Sequence, residues 1–82
     1  MNFEIRNKIE NIYAEYCGRE VEFEEEVMDS GLLSSMKLFD LICEVESVFD
    51  IQFEKCEMTN IDNFRTIKNV VFLIEAKLKG EI

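Results

Sequence analysis

The stretch SSMKLFDLICEVESVF, residues 34–49, joins a pair of serines to a long amphipathic pattern and therefore decides the predicted fold. Ser34 is a good N-cap, because its oxygen can accept one of the free backbone N–H groups at a helix start. Ser35 is then the first helical residue, with its hydroxyl near solvent. The pattern predicts a helix over 35–49. Its broad buried face is formed by Leu38, Leu41, Ile42, Val45, Val48 and Phe49.

Further helices are predicted on both sides of this one. Residues 3–17 carry a stripe of isoleucine and tyrosine at helical spacing, and Gly18 is a natural stop. The last helix is expected over 63–79, capped by Asn63 and ended by Gly80. Its stripe consists of Phe64, Ile67, Val70, Val71, Ile74 and Leu78. A short helix is predicted at about residues 56–61.

The segment 18–34 lacks a long period and is strongly acidic, so we interpret it as an ordered loop with a turn at residues 29–31. Apolar residues within it would anchor it to the core. The absence of proline and the three glycines argue against an all-β architecture. We therefore predict that residues 1–82 form one all-α domain. It is a small four-helix bundle of three main helices plus a short third helix, with a long loop after the first.

The charge and the cysteines limit the functional classes. Nine basic and 18 acidic residues give a net charge of −9, which disfavours nucleic acid and favours basic partner surfaces, or serves solubility alone. Cys17, Cys43 and Cys56 fit neither a disulfide framework nor a zinc site, and we expect reduced thiols in the cytoplasm. The first residues lack the pattern of a signal peptide, and no apolar run approaches the ~20 residues of a membrane span.

One flank of the helix over 35–49 is predicted to be a docking surface. At helical spacing Met36, Phe39 and Cys43 form a small apolar cluster away from the buried face. It is bordered by Asp40, Glu44 and Ser47. Such a patch with an acidic rim suits basic partners. The alternative is that Met36 and Phe39 pack under the long loop.

Catalysis and metal binding are not predicted for this chain. A nucleophilic serine or cysteine needs a base, and the sequence has no histidine. The acidic residues 20–29 lack the regular ligand spacing and the glycine of a calcium loop. The hydroxyl of Ser35 remains the candidate for covalent attachment, and the alternative is that both serines only cap the helix and shape the turn.

The chain resembles the acyl and peptidyl carrier protein family over most of its length. Gly31–Met36 is similar to the family's attachment motif, in which glycine and two hydrophobic residues precede Asp-Ser-(Leu or Met). Asp50-Ile51 follows the helix as in the family, and residues 63–67 resemble the start of its last helix. The chain departs from the motif at one position, because Ser34 stands where the family usually has aspartate.

The resemblance implies that Ser35 carries a 4′-phosphopantetheine arm from coenzyme A, which holds an acyl or aminoacyl group as a thioester. The expected partners are a phosphopantetheinyl transferase, a loading ligase or adenylating enzyme, and downstream acyl-transfer enzymes. The protein itself would be a monomer without enzymatic activity. A non-modified acidic adaptor for protein–protein interaction is the alternative, and Ser34 is the feature that keeps it open.

Overall fold

The computed structural model describes residues 3–80, which form four α-helices and one 3₁₀ helix, with no strand within that range. The α-helices are α1 (Phe3–Cys17), α2 (Ser35–Phe49), α3 (Lys55–Thr59) and α4 (Ile67–Leu78), and the 3₁₀ helix covers Ile61–Phe64. The predicted small all-α bundle is confirmed. Within residues 3–80 no helix has both the length and the apolar character needed to cross a membrane.

Helix α1 coincides with the predicted range and packs on both α2 and α4. Its isoleucines at positions 5, 9 and 12 and Tyr13 are buried, as the stripe predicts. The helix ends where Gly18 adopts a φ of +80° and donates its N–H to the Ala14 carbonyl at 2.9 Å. Because that backbone conformation is strained for other residues, Gly18 fixes the point at which the chain turns into the loop.

Helix α2 is capped as predicted, because the Ser34 hydroxyl oxygen accepts the N–H of Lys37 at 3.2 Å. Leu38, Leu41, Ile42 and Val45 are buried, and Phe49 is half-buried. The expectation that Val48 is buried was wrong, because its side chain is 42% exposed. At helical spacing Val48 lies about 70° from the centre of the buried face, at the edge of the stripe.

The predicted start of the last helix at Asn63 was also wrong. Asn63 lies inside the 3₁₀ helix, and its side-chain amide donates to the carbonyl of Glu57 in α3 at 3.0 Å. The cap of α4 is Thr66, whose hydroxyl accepts the N–H of Asn69 at 3.1 Å. Thr66 is extended, with φ −133° and ψ 155°, so the helix cannot continue back through it.

Two smaller expectations for the same region also differ from the structure. The short third helix is Lys55–Thr59 rather than residues 56–61, because Glu54 and Glu57 form a capping box that starts it one residue earlier. Leu78, which was expected in the buried stripe, is exposed in the last turn of α4. The remainder of that stripe is buried.

A nearly buried ion pair joins α3 to α4. The ammonium of Lys77 lies 2.7 Å from the Glu57 carboxylate and 5.5 Å from the ring centroid of Phe53. Burial would raise the pKa of Glu57, but Lys77 and the N–H of Glu54 outweigh it, so the pKa lies below the ordinary glutamate value. Lys77, in the last turn of α4, therefore fixes the short helix against the bundle.

The long loop, residues 18–34, is held on the bundle by backbone hydrogen bonds. Val27 donates its N–H to the Arg65 carbonyl at 2.9 Å, and Lys68 donates to the Phe23 carbonyl at 3.0 Å. The side chains of Val21, Val27 and Leu33 are buried in the core. The loop is therefore ordered and anchored by apolar residues, as the sequence predicts.

Tyr13 links α1 to the segment before α4. Its hydroxyl donates to the Phe64 carbonyl at 2.8 Å in the core, and the ring of Phe64 meets that of Phe53 edge-on at 5.5 Å between centroids. Burial raises the pKa of Tyr13 well above its ordinary value, so the phenol stays protonated and continues to donate.

We predict that Tyr13→Phe destabilises the protein by about 1–3 kcal/mol, because it leaves the Phe64 carbonyl buried without this donor. Denaturant or thermal unfolding measures the change. Tyr16→Phe is the matched control, because it removes a hydroxyl from a half-buried site that water can reach, and its effect should be smaller. Equal midpoints for the two variants would contradict a stabilising role for the Tyr13 bond.

Candidate functional site

The serine corner, defined as Ser34 and Ser35, contains two adjacent hydroxyls that differ in their hydrogen bonding. The hydroxyl of Ser34 accepts the Lys37 N–H, and its carbonyl accepts the N–H of Leu38 at 2.8 Å, which closes the first turn of α2. The side chain of Ser35 is exposed, and it has no hydrogen-bond partner within residues 3–80. Of the two hydroxyls, that of Ser35 is therefore the one that makes no hydrogen bond within those residues.

The approach to the corner is shaped by a tight turn. Gly31 has a φ of +78° and donates its N–H to the Met28 carbonyl at 3.1 Å, at the position where the sequence predicts a turn. No atom lies within 4 Å of the place a Cβ would occupy, so the requirement for glycine is conformational rather than steric. The next two residues lead inward to Leu33, which is fully buried beside the corner.

The predicted apolar cluster on α2 is exposed. Met36 is 84% exposed and Phe39 is 65% exposed, and Cys43, one turn further on, is exposed as well. The alternative in which Met36 and Phe39 pack under the loop is wrong, because the loop places its own valines and Leu33 in the core instead. These three residues are called the α2 patch below. The first of them, Met36, directly follows Ser35 in the chain.

The polar border of the α2 patch is not uniform. Asp40 and Ser47 are exposed, whereas Glu44 is half-buried and accepts the hydroxyl of Tyr16 at 2.8 Å. This hydrogen bond, together with partial burial, raises the pKa of Tyr16 to about 12. Glu44 is thus held against α1 in a fixed orientation, and Asp40 is the acidic side chain of the border that is fully available to a partner.

The segment that leads to the serine corner is organised by the carboxylate of Glu26. That carboxylate accepts the backbone N–H groups of Met28 at 2.9 Å, Asp29 at 2.7 Å and Ser30 at 3.1 Å. The pKa of Glu26 lies below its ordinary value, chiefly because the Asp29 N–H stabilises the ionised form. An acidic residue in the loop therefore acts as a structural acceptor for the turn.

Arg65 connects this segment to the bundle. Its Nη1 lies 3.1 Å from Glu26 Oε2 and 2.9 Å from Asp29 Oδ1, and its Nε donates to Asp62 Oδ1 at 2.6 Å. Asp62, then Asp29, raise the pKa of Arg65 above its ordinary value. The four residues are called the Arg65 cluster below. Sequence analysis missed the cluster, because Asp62 is the one acidic residue close to Arg65 in the sequence, and no local pattern points to Glu26 or Asp29.

Two further acidic residues of the loop pair with cations. Glu24 lies 2.9 Å from the ammonium of Lys68, and Glu25 pairs with Arg19. Within the described residues, no group of three or more His, Cys, Asp or Glu side chains is placed to hold a metal ion. The loop carboxylates thus serve to fasten the loop to itself and to α4.

No protein-family model matches the chain, and no curated protein matches it. The features of this chain that bear on its function are therefore the serine corner, the α2 patch and the Arg65 cluster.

We predict that the Glu26 carboxyl titrates below the ordinary glutamate pKa of about 4.3. Because the pKa is lowered in the folded state, the stabilisation by ionised Glu26 is present above the unfolded pKa and is lost as pH falls through the folded one. Carboxyl NMR titration gives the value, and the amides of Met28, Asp29 and Ser30 should shift in the same step.

The control for this titration is Glu26→Gln, in which those three amides should lose the acidic step. A Glu26 carboxyl with a pKa at or above the ordinary glutamate value would contradict the role of Glu26 as the acceptor that organises the turn.

Proposed function

We propose that this protein is an acyl or aminoacyl carrier that bears a 4′-phosphopantetheine arm on Ser35. The observation that carries the proposal is the free, exposed hydroxyl of Ser35 at the first residue of α2, beside the exposed α2 patch. Ser34 already uses its hydroxyl as the helix cap, which supports Ser35 as the acceptor. The resemblance of Gly31–Met36 to the carrier attachment motif agrees with this assignment.

The surroundings of Ser35 suit a phosphodiester. A helix start presents free N–H groups and the positive end of the helix dipole, and both favour an anion. The first turn of α2 contains no acidic residue, and Lys37 is exposed within it. An arm on Ser35 therefore meets no repelling carboxylate in that turn, and its terminal thiol would supply the thioester chemistry.

The chain's own contribution would be presentation rather than catalysis. With no histidine in the sequence, neither Ser35 nor an exposed thiol has the usual base for nucleophilic attack. The α2 patch, Asp40 and the oriented Glu44 would instead contact basic surfaces on a transferase, a loading ligase and acyl-transfer enzymes. We place this carrier in the cytoplasm as a monomer.

We predict opposite outcomes for alanine substitution at the two serines. Ser35→Ala should keep the stability of the fold and abolish loading, because it removes only the attachment oxygen. Ser34→Ala should still be loaded, but it should lose about 1 kcal/mol of stability because the helix cap is gone. The measurement is intact mass and peptide mapping after incubation with coenzyme A and a broad-specificity phosphopantetheinyl transferase, together with thermal unfolding of each variant.

A second variant, Ser34→Asp, serves as the control for this pair, because aspartate restores both a cap and the usual carrier motif. Loading that persists in Ser35→Ala and is lost in Ser34→Ala would show that Ser34 is the acceptor. A folded wild-type protein and a folded Ser34→Asp that both gain no mass would favour the non-modified acidic adaptor, for which the α2 patch would serve alone.

We also predict that Asp40→Lys raises the KM for the transferase several-fold and reduces the dependence of loading on salt, because a charge at the border of the patch steers encounter. Stability should change little, since Asp40 is exposed. The matched control is Glu20→Lys, an equal charge reversal at an exposed loop position beside α1. Equal effects of the two reversals would indicate that net charge, rather than the α2 face, governs recognition.

A further inference from the structure

We propose that Arg65 is a positioning residue for Ser35: it fixes the segment 26–34 and thereby sets where α2 begins and where the Ser35 hydroxyl lies. The inference rests on the proposed function in so far as Ser35 is the acceptor. Arg65 follows Ser35 by 30 residues in the sequence, and no hydrogen bond joins their side chains. Its effect would be transmitted through the loop.

Arg65 holds three carboxylates at once. Its guanidinium binds Glu26 and Asp29 from the loop through Nη1, and Asp62 from the 3₁₀ helix through Nε. A planar guanidinium can direct several N–H groups to carboxylates in fixed directions, which a single ammonium cannot do. Arg65 therefore fixes both ends of the turn at 26–30 relative to the 3₁₀ helix.

The backbone of Arg65 also binds the same segment. Its carbonyl accepts the Val27 N–H at 2.9 Å, and the Val27 carbonyl in turn accepts the Leu33 N–H at 2.9 Å. Val27 and Leu33 are both fully buried. The segment between them is thus a closed turn whose two ends are bonded to each other, and its Val27 end is also bonded to residue 65.

The closed turn leads directly into the serine corner. Leu33 is followed directly by Ser34, whose carbonyl accepts the Leu38 N–H at 2.8 Å and whose hydroxyl caps α2. One residue separates the buried end of the turn from Ser35. A shift of the turn would therefore move the cap and the first turn of α2, and with them the Ser35 hydroxyl.

Removing the guanidinium would leave its three carboxylate partners without their shared cation. Glu26, Asp29 and Asp62 would be left as three carboxylates around one point in a chain of net charge −9. Their mutual repulsion disfavours the closed turn. The ion pairs of Glu24 and Glu25 lie earlier in the loop, before Val27, and do not fasten the segment next to Ser35.

The test compares Arg65→Gln with Arg19→Gln by amide hydrogen exchange of the unmodified protein. Arg19 is the matched control, because it also pairs with a loop glutamate, but that partner, Glu25, lies before Val27 and outside the closed turn. We expect Arg65→Gln to speed exchange of the Leu33 and Leu38 amides several-fold while the amides around Ile9 in α1 keep their protection. Arg19→Gln should leave the Leu33 and Leu38 amides unchanged.

The second readout is the kinetics of arm transfer onto Ser35. A displaced acceptor should lower kcat, by up to about 100-fold for a misplacement of about 1 Å, while KM changes little because Phe39 and Asp40 lie a turn further along α2. Normal protection of Leu33 and Leu38 in Arg65→Gln would overturn the proposal. So would a uniform loss of protection that includes α1, since Arg65 would then be a general stabilising residue.

The exchange comparison separates this proposal from the carrier proposal. If the wild-type protein accepts no arm, the carrier function fails, but the amides of Leu33 and Leu38 still report whether Arg65 fixes the Ser35 segment. Should Arg65→Gln not fold, Asp29→Asn replaces it, because Asp29 is 80% exposed and its loss removes one arm of the Arg65 cluster. The same two amides then decide the outcome.

Discussion

The backbone at Phe64 and Arg65 joins three parts of this small protein. The Phe64 carbonyl accepts the Tyr13 hydroxyl of α1 at 2.8 Å, and the adjacent Arg65 carbonyl accepts the Val27 N–H of the loop at 2.9 Å. Thr66 then caps α4. Two neighbouring peptide units thus connect the first helix, the long loop and the last helix. A buried carbonyl without a donor is costly, so these bonds fix the arrangement as well as stabilise it.

This connection explains how an acidic chain can hold a long acidic loop against its core. The loop contributes apolar side chains to the core, and four of its carboxylates, those of Glu24, Glu25, Glu26 and Asp29, pair with Arg19, Arg65 or Lys68. Glu26 in addition accepts three backbone N–H groups, so its charge organises the turn before Gly31. The exposed Asp40 on α2 is the acidic side chain that the carrier proposal uses for partner recognition.

The proposed carrier role follows from the way that α2 begins. A helix start combines free N–H groups with an exposed first side chain, and here the cap is provided by the neighbouring residue. This leaves the Ser35 hydroxyl uncommitted and places it next to the exposed Met36. An adaptor without an arm would use the same apolar patch but would have no need of that hydroxyl. The distinction between the two functions is therefore chemical and confined to one oxygen atom.

The sequence by itself determined the all-α class, the ranges of α1 and α2, the Ser34 cap and the exposed flank of α2, because these depend on local spacing and on capping chemistry. The start of α4, the exposure of Val48 and the roles of Arg65 and Tyr16 were decided only by the tertiary structure. The physical reason is range: Arg65 meets Glu26, 39 residues away, and Tyr16 meets Glu44, 28 residues away. No local pattern encodes such pairs, since they form only when the packed core brings the segments together.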